Sequence, residues 1–248
     1  MELEGSKALV TGAGQGIGRA IALDLAARGA DLAVCDLNAQ TARKTAEEVQ
    51  ALGRKSLALA VDVADHAAVV AAVAQTLGAF GWLDILVNNA GWDVVQPFAD
   101  TQPDFWDRVI DINYKGVIHF CHAASRHLME RKAGKIVNIA SDAGRVGSLG
   151  ETVYAGAKGA VIAFSKSLAR EMAPYGVHVN CVCPGPTDTD LFRALPEKVR
   201  QGLERAIPFR RVARPEEVAR AVAFFASPLS DYVTGQVLSV SGGLTMAG

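Results

Sequence analysis

Between Lys7 and Leu25 the chain passes from a short apolar run through a glycine-studded turn into a helical apolar pattern. The run is KALV, the turn is TGAGQGIG from Thr11 to Gly18, and Ile17, Ile21, Ala22 and Leu25 follow at helical spacing. A strand that breaks into glycines and restarts at once as a helix leaves few choices of fold. Glycines let backbone turn tightly and approach a ligand, and a helix N-terminus offers unpaired N–H groups with partial positive charge. A diphosphate suits such a place. The glycines at 12, 16 and 18 are spaced TGxxxGxG rather than GxGxxG.

The strand–helix unit recurs. A second strand, Asp31 to Cys35, ends in Asp36, eighteen residues beyond Gly18. That is close to the offset at which a carboxylate takes the hydroxyls of an adenosine ribose. Asp36 would repel a 2′-phosphate, and the neutral Gln15 supplies no compensating cation, so NAD is expected rather than NADP. Asn38 and Thr41 introduce a helix to Leu52. A third strand, Ser56 to Val61, runs into Asp62 and Val63. Asp62 could accept a hydrogen bond from an adenine amino group while Val63 packs on the ring; either could also be an ordinary turn residue. A helix from about Asp65 to Phe80 precedes the strand Leu83–Asn88, which finishes as NNAG, Asn88 to Gly91. Asn88 reads first as scaffold.

Residues 92–103 form a loop, and a helix starts near Pro103. Asn113 interrupts its apolar face of Val109, Ile110, Ile112 and Val117, and a buried amide there needs a partner such as a kinked helix or a water. The stretch Lys135 to Ile162 gives an apolar strand, a small-residue loop and a helix from near Thr152 to about Pro174. Ser141 ends the strand. Tyr154 and Lys158 are four apart, hence on one helix face. An ammonium beside a phenol favours the phenolate and lowers its pKa from about 10. Ser141 could donate a hydrogen bond to the same reacting oxygen, which makes a proton-transfer site. The strand Val177–Val182, the segment PGPTDT (Pro184 to Thr189) and a last strand Val237–Val240 complete the series.

Alternating units of this kind give an α/β fold, a parallel sheet with helices on both faces. Ligands then sit outside the carboxyl ends of strands, where all these motifs fall. With no repeat or long linker, residues 1–248 read as one domain. A helical, amphipathic insert follows from Leu191 to Ala206, within about 189–213. Seven basic residues lie there and just after it (Arg193, Lys198, Arg200, Arg205, Arg210, Arg211, Arg214). They form either a solvated face or a lid that holds an anionic handle such as a coenzyme A phosphate.

Bulk properties narrow the partners. A net charge of −1 gives no electrostatic case for nucleic acid or an acidic membrane. No basic segment with a following apolar stretch marks a signal peptide, and no apolar run reaches transmembrane length, so a cytoplasmic location is expected. The four cysteines lack CxxC spacing and read as buried free thiols. The histidines, including His119, His122 and His127 on one helix, form no metal-ligand run, and no metal is expected.

TGAGQGIG, NNAG, Asn113, Ser141, YAGAK (Tyr154 to Lys158) and PGPTDT together resemble the short-chain dehydrogenase/reductase superfamily, from Lys7 to the terminal SGG. The resemblance implies a Rossmann-type, doubly wound seven-stranded sheet and usually a homotetramer. It implies Tyr154 as acid/base, Lys158 as its activator and ribose ligand, Ser141 orienting the reacting oxygen, and Asn113 holding a relay water. Carried over residue by residue, the cofactor contacts would be Gly12, Gln15, Gly16, Ile17, Gly18, Asp36, Leu37, Asp62, Val63, Asn89, Ala90, Gly91, Tyr154, Lys158, Pro184, Gly185, Thr187 and Thr189. Thr187 and Ser241 depart from the commoner pattern, an apolar residue and an Asp respectively, with consequences for local packing and the C-terminal turn. NNAGWD, IASDAGRVGS, CPGPTDT and TGQVLSVSGGLTMAG are most similar to bacterial 2-hydroxycyclohexanecarboxyl-CoA dehydrogenases; the broader likeness is to 3-oxoacyl-acyl-carrier-protein reductases. A CoA thioester is thus the expected substrate. A carrier-protein thioester, a small alcohol, sugar or steroid, and a non-catalytic nucleotide-binding subunit stand as alternatives.

Overall fold

The computed structural model describes residues 2–246, so Ala247 and Gly248 of the expected tail lie outside the described residues. The strands are β1 Lys7–Thr11, β2 Asp31–Asp36, β3 Ser56–Ala60, β4 Ile85–Asn88, β5 Gly134–Ile139, β6 Val177–Pro184 and β7 Val237–Val240. They form one sheet in the order β3-β2-β1-β4-β5-β6-β7, every pair parallel. The chain winds outward from β1 to β3, then returns to β1's other side with β4. The crevice of an open sheet lies at that reversal, beyond the carboxyl ends of β1 and β4.

Strand periodicity decides which helices go on which face. In β1, Ala8 and Val10 point to one side, and Leu9 to the other. The first side is covered by α1 (Gly16–Ala27), α2 (Ala39–Ala51) and, later in the chain, a helix over Pro215–Ala226. The second is covered by α3 (His66–Phe80) and by helices over Gly116–Arg131 and Thr152–Met172. Each fully buried Leu, Ile or Val in these layers contributes about 1.5–3 kcal/mol. The caps are local: Asn38 accepts from the Gln40 and Thr41 amides, and Asp65 from those of Ala67 and Ala68. Gly81, at φ +83°, ends α3.

Several boundaries differ from expectation. Strand β4 begins at Ile85 rather than Leu83, because the Leu83 amide donates to His127 Nε2. The helix that begins at Pro103 is α4, Pro103–Ile110; it passes through a π-helical turn, Asp111–Lys115, into α5, Gly116–Arg131. A short α6, Ala143–Val146, precedes α7, Thr152–Met172, which gives way at Ala173–Pro174 to a 3-10 turn. The expected amphipathic helix from Leu191 to Ala206 is split near Pro196 into α8, Asp190–Arg193, and α9, Glu197–Ala206, and α10 is Pro215–Ala226.

All four cysteines are buried and free. Among the described residues no group of three or more His, Cys, Asp or Glu is placed to hold a metal ion, and no helix is long and apolar enough to cross a membrane.

Candidate active site

The turn between β1 and α1 is built for close approach. Gly12 and Gly16 have φ of +61° and +53°, values that favour glycine. A Cβ on Gly18 would lie 2.1 Å from the Gly12 carbonyl oxygen, so the helix can start only where it does with a glycine there. Gln15 makes no side-chain cap on α1, which leaves the N–H groups of Gly16, Ile17 and Gly18 without a side-chain acceptor. Thr11 fastens this turn to the next strand end: its hydroxyl accepts from the Asn89 and Ala90 amides at 2.9 and 3.0 Å. The Asn89 side chain returns hydrogen bonds to the carbonyls of Thr11 and Gly12.

Asp36, at the end of β2, is held on the rim of that turn. One carboxylate oxygen accepts from the Gly14 amide at 2.8 Å, and the other from the Asn38 amide at 2.9 Å. A Cβ on Gly14 would fall 2.3 Å from Thr41 Oγ1 and 2.8 Å from the carboxylate. Leu37 beside it is exposed. These features fit the adenosine end of a dinucleotide: a glycine cradle, a free helix N-terminus and an oriented carboxylate. Asp62 is exposed and accepts from the Ala64 amide. Val63 corrects an expectation, because its side chain is buried in the core against Gly116.

Asn88 is tied into the interior. Its amide donates to Asn138 Oδ1 at 2.8 Å, and Asn138 in turn donates to Ser165. Asn113 is fully buried in the π turn, which swings its amide toward the loop after β4. It donates to the carbonyls of Trp92 and Val109 at 2.7 and 2.9 Å and accepts from the Trp92 amide at 3.3 Å. The extra residue in the helical ladder thus resolves the buried polar group expected from the sequence.

Tyr154 and Lys158 lie on α7 where its first turns cross the end of β5. Close packing brings them there: a Cβ on Gly144 would come within 2.7 Å of the Gly159 amide. The Lys158 ammonium donates to the Ile139 carbonyl at 2.9 Å and lies 5.6 Å from the Tyr154 ring centroid. Burial lowers the Lys158 pKa to about 8. The Tyr154 phenol behaves differently from expectation. Burial pushes its pKa up, Glu151 and Asp93 add to the rise, and a side-chain hydrogen bond with Ser141 opposes it. The ammonium spends a hydrogen bond on a backbone carbonyl, so the arrangement alone does not yield the expected phenolate.

After β6, the Gly185 amide donates to Val240, and Thr187 is buried with its hydroxyl on the Gly185 carbonyl. Thr189 begins α8 beside Gly16, which joins the insert to the glycine turn. Pro184 closes β6, and its carbonyl accepts from the Asp142 amide next to Ser141. Ser241 makes the C-terminal turn with its hydroxyl, accepting from Ser239 Oγ and the Thr245 amide.

The basic stretch is partly neutralised. Arg193 is paired with Asp188 and Asp190, and Arg211 and Arg214 with Glu217. Arg200 keeps a buried Nε without a hydrogen-bond partner.

Three contributors carry no assigned role in the sequence reading, Thr11, Asp93 and Glu151, and Thr41 is read there only as a helix start. Thr11 and Thr41 look like any strand-end or helix-start threonine. Asp93 carried a signal, an acid inside the otherwise apolar WDVV loop that follows NNAG.

A glycine turn, an oriented carboxylate and a Tyr–Lys pair at one end of a parallel sheet are the features shared by nicotinamide-dependent oxidoreductases. Residues 12–245 match a family model described as enoyl-(acyl carrier protein) reductase. The chain is 39% identical over 246 residues to a (2S)-[(R)-hydroxy(phenyl)methyl]succinyl-CoA dehydrogenase subunit of Thauera aromatica, covering 99% of each. It is 40% identical over 247 residues to a 3-oxoacyl-[acyl-carrier-protein] reductase of Escherichia coli, covering 99% of this chain and 100% of that one. The crystal structure of a 3-oxoacyl-[acyl-carrier protein] reductase from Brucella melitensis superposes with a TM-score of 0.94 at 36% identity, over 99% of this chain and 93% of that one. The chain belongs to the short-chain dehydrogenase/reductase family.

Proposed function

We propose that this protein is an NAD-dependent dehydrogenase of β-hydroxyacyl-CoA thioesters, with an alicyclic acyl group of the 2-hydroxycyclohexanecarboxyl type as the preferred substrate. The observation that carries the reading is the meeting of Ser141, Tyr154 and Lys158 with the glycine turn at the same end of the sheet. In this role Ser141 holds the reacting oxygen by a hydrogen bond, and Tyr154 takes the hydroxyl proton in oxidation or returns it in reduction. Lys158 keeps positive charge behind the phenol. Asn113 carries the proton path onward through a water. NAD supplies the hydride acceptor. Its holders would be Gly12, Gln15, Gly16, Ile17, Gly18, Asp36, Leu37, Asp62, the backbone of Val63, Asn89 to Gly91, Tyr154, Lys158, and Pro184, Gly185, Thr187 and Thr189.

Asp36 supports NAD over NADP, since a 2′-phosphate would meet a carboxylate already oriented by two amides. Full-length likeness to a relative named as a (2S)-[(R)-hydroxy(phenyl)methyl]succinyl-CoA dehydrogenase subunit supports the thioester. The insert around α8 and α9 would form the lid, with Lys198, Arg200 and Arg205 near its mouth as the cations least committed to carboxylates. A homotetramer in the cytoplasm goes with this reading. A second reading, reduction of a carrier-protein thioester, is favoured by the reductases that match at 40% and 36% identity.

A steady-state comparison separates the two. The expected result is the highest kcat/KM for a β-hydroxyacyl-CoA with NAD, above the free β-hydroxy acid, the carrier-protein thioester and every NADP reaction. Equal rates for the free acid and its CoA thioester would remove the thioester; preference for the carrier protein with NADPH would favour the second reading.

A further inference from the structure

Beside Tyr154 sits an acid that nothing neutralises. Asp93 is 7% exposed, and neither of its carboxylate oxygens has a hydrogen-bond partner. It faces the small cavity between the loop after β4 and the first turn of α7, lined also by Gln96, Phe105, Glu151 and Thr152. Buried carboxylates are ordinarily paired or hydrogen-bonded. This one meets a second acid instead. Burial, reinforced by the charge of Glu151, raises the Asp93 pKa to about 6; the Val94 amide favours the charged form but lies outside hydrogen-bond geometry.

The charged and titratable groups that face Asp93 are few. From the start of α7 they are its N-cap residue Glu151 and, in the first turn, Tyr154. From α4 the nearest cation is Arg108, whose guanidinium is held 3.9 Å over the Trp92 ring. The cavity wall between them is Gln96, Phe98, Thr101 and Phe105. A structural acid would be expected to hold a backbone amide or an arginine here, and Asp93 holds neither.

We propose that Asp93 sets the charge specificity of the substrate end: with Glu151 it keeps a second carboxylate out of the acyl pocket and restricts the substrate to acyl groups uncharged around the reacting carbon. This rests on the reading that the reacting oxygen meets Ser141 and Tyr154, because Asp93 and Glu151 line a cavity against the first turn of α7, the turn that carries Tyr154. Like charges a few ångströms apart in a partly dry pocket discriminate by on the order of tenfold or more. Burial is the main cause of the raised Tyr154 pKa, and the charges of Glu151 and Asp93 add to it.

The test is the ratio of kcat/KM for 3-hydroxyhexanoyl-CoA over 3-hydroxyadipoyl-CoA, which differ by a methyl against a carboxylate. The ratio should be about tenfold or more at pH 8 and shrink toward pH 5.5 as Asp93 takes up its proton. Asp93→Asn should lower the ratio at pH 8 and flatten its pH course. Glu151→Gln should lower it less, and serves if the first variant does not fold. Equal use of both thioesters by the wild type, or an Asp93→Asn ratio and pH course like the wild type's, would overturn the proposal. If neither thioester turns over, the thioester reading falls alone, and 2-hexanol against 5-hydroxyhexanoate gives the same ratio with the same outcomes. Failure of both pairs takes the proposal down with the site on which it rests.

Discussion

The Asn113 amide oxygen lies 2.9 Å from the point that a Cβ on Gly91 would occupy, and the Lys158 ammonium lies 3.5 Å from it. The glycine that ends NNAG is thus the wall against which two proposed relay groups are set. Its backbone is not in the left-handed region, so the constraint is one of space rather than torsion.

Gly91→Ala tests that wall. The methyl would displace the Asn113 amide from the Trp92 backbone or push Lys158 off the Ile139 carbonyl. Overpacking of this kind costs about 1–3 kcal/mol in stability. A misplacement of this size lowers kcat by about a hundredfold. Urea denaturation and steady-state rates on the same preparation give both numbers. A variant with wild-type kcat would detach this corner from the chemistry.

Tyr154→Phe removes one oxygen and little volume. The loss of the acid/base should cut kcat by about 100- to 10,000-fold. Binding of NADH, followed by its fluorescence, should stay within a few-fold, since the glycine turn, Asp36, Lys158 and the other proposed dinucleotide holders are unchanged. Turnover that survives the change would take Tyr154 out of the proton path.

Much of this site could be read from residue order, because a parallel sheet places every strand's carboxyl end on one rim. Gly12, Asp36, Gly91, Ser141 and Pro184 were therefore assigned to one place without any long-range contact being known. What could not be read depends on where side chains end up after packing. Val63 looked available for a ring, and the core claimed it because Gly116 opens a slot there. Lys158 looked aimed at the phenol, yet its ammonium finds the Ile139 carbonyl on the neighbouring strand end. The cations of the insert read as either a solvated face or a lid, and two of their carboxylate partners, Asp188 and Glu217, lie outside it, at positions that spacing does not reveal. Asp93 was legible as a letter and not as a charge, since its significance lies in the partner it lacks.

Asp36 should govern cofactor choice. Losing a charged acceptor for ribose hydroxyls costs about 1.5–3 kcal/mol, a factor of about ten to a hundred. Asp36→Asn should therefore lower kcat/KM for NAD by that factor while raising the value for NADP, from which like-charge repulsion is lifted. Paired kinetics with the two dinucleotides decide it. An unaltered NAD/NADP ratio would mean that the preference is set elsewhere.

Lys158 makes stability depend on pH in the alkaline range. Its pKa is about 8 in the folded protein, against about 10.4 in an unfolded chain. Between those values the unfolded state binds a proton that the folded state does not, so stability rises with pH across the window. Below it both states are protonated, and the cost of burying the ammonium is fully present, up to about 3 kcal/mol. Lys158→Met should be inactive, and its urea midpoint should lack the wild type's relative gain between pH 7.5 and pH 10. Parallel curves for the two proteins would contradict a buried, destabilised ammonium.

Asp93 gives the opposite slope at the acid end. Its carboxyl titrates near 6 when folded and near 3.9 when unfolded. Between the two the folded state carries the extra proton, so the Asp93 contribution falls as pH rises through the window. Above it the ionised carboxylate sits buried beside Glu151 with no hydrogen-bond partner, at a cost of up to about 3 kcal/mol. Asp93→Asn keeps the shape and removes the charge. It should be the more stable protein at pH 7.5 by as much as that, and the advantage should vanish near pH 4, where the wild-type carboxyl is protonated in the folded state and approaches neutrality in the unfolded one. Taking the difference between the two proteins at each pH cancels every other titrating group, so urea midpoints at the two ends suffice. A gain in stability bought with wider acceptance of charged acyl groups would mark Asp93 as kept for selectivity. A loss of stability at pH 7.5 would instead mean that the carboxylate has a stabilising partner, and would return Asp93 to the scaffold.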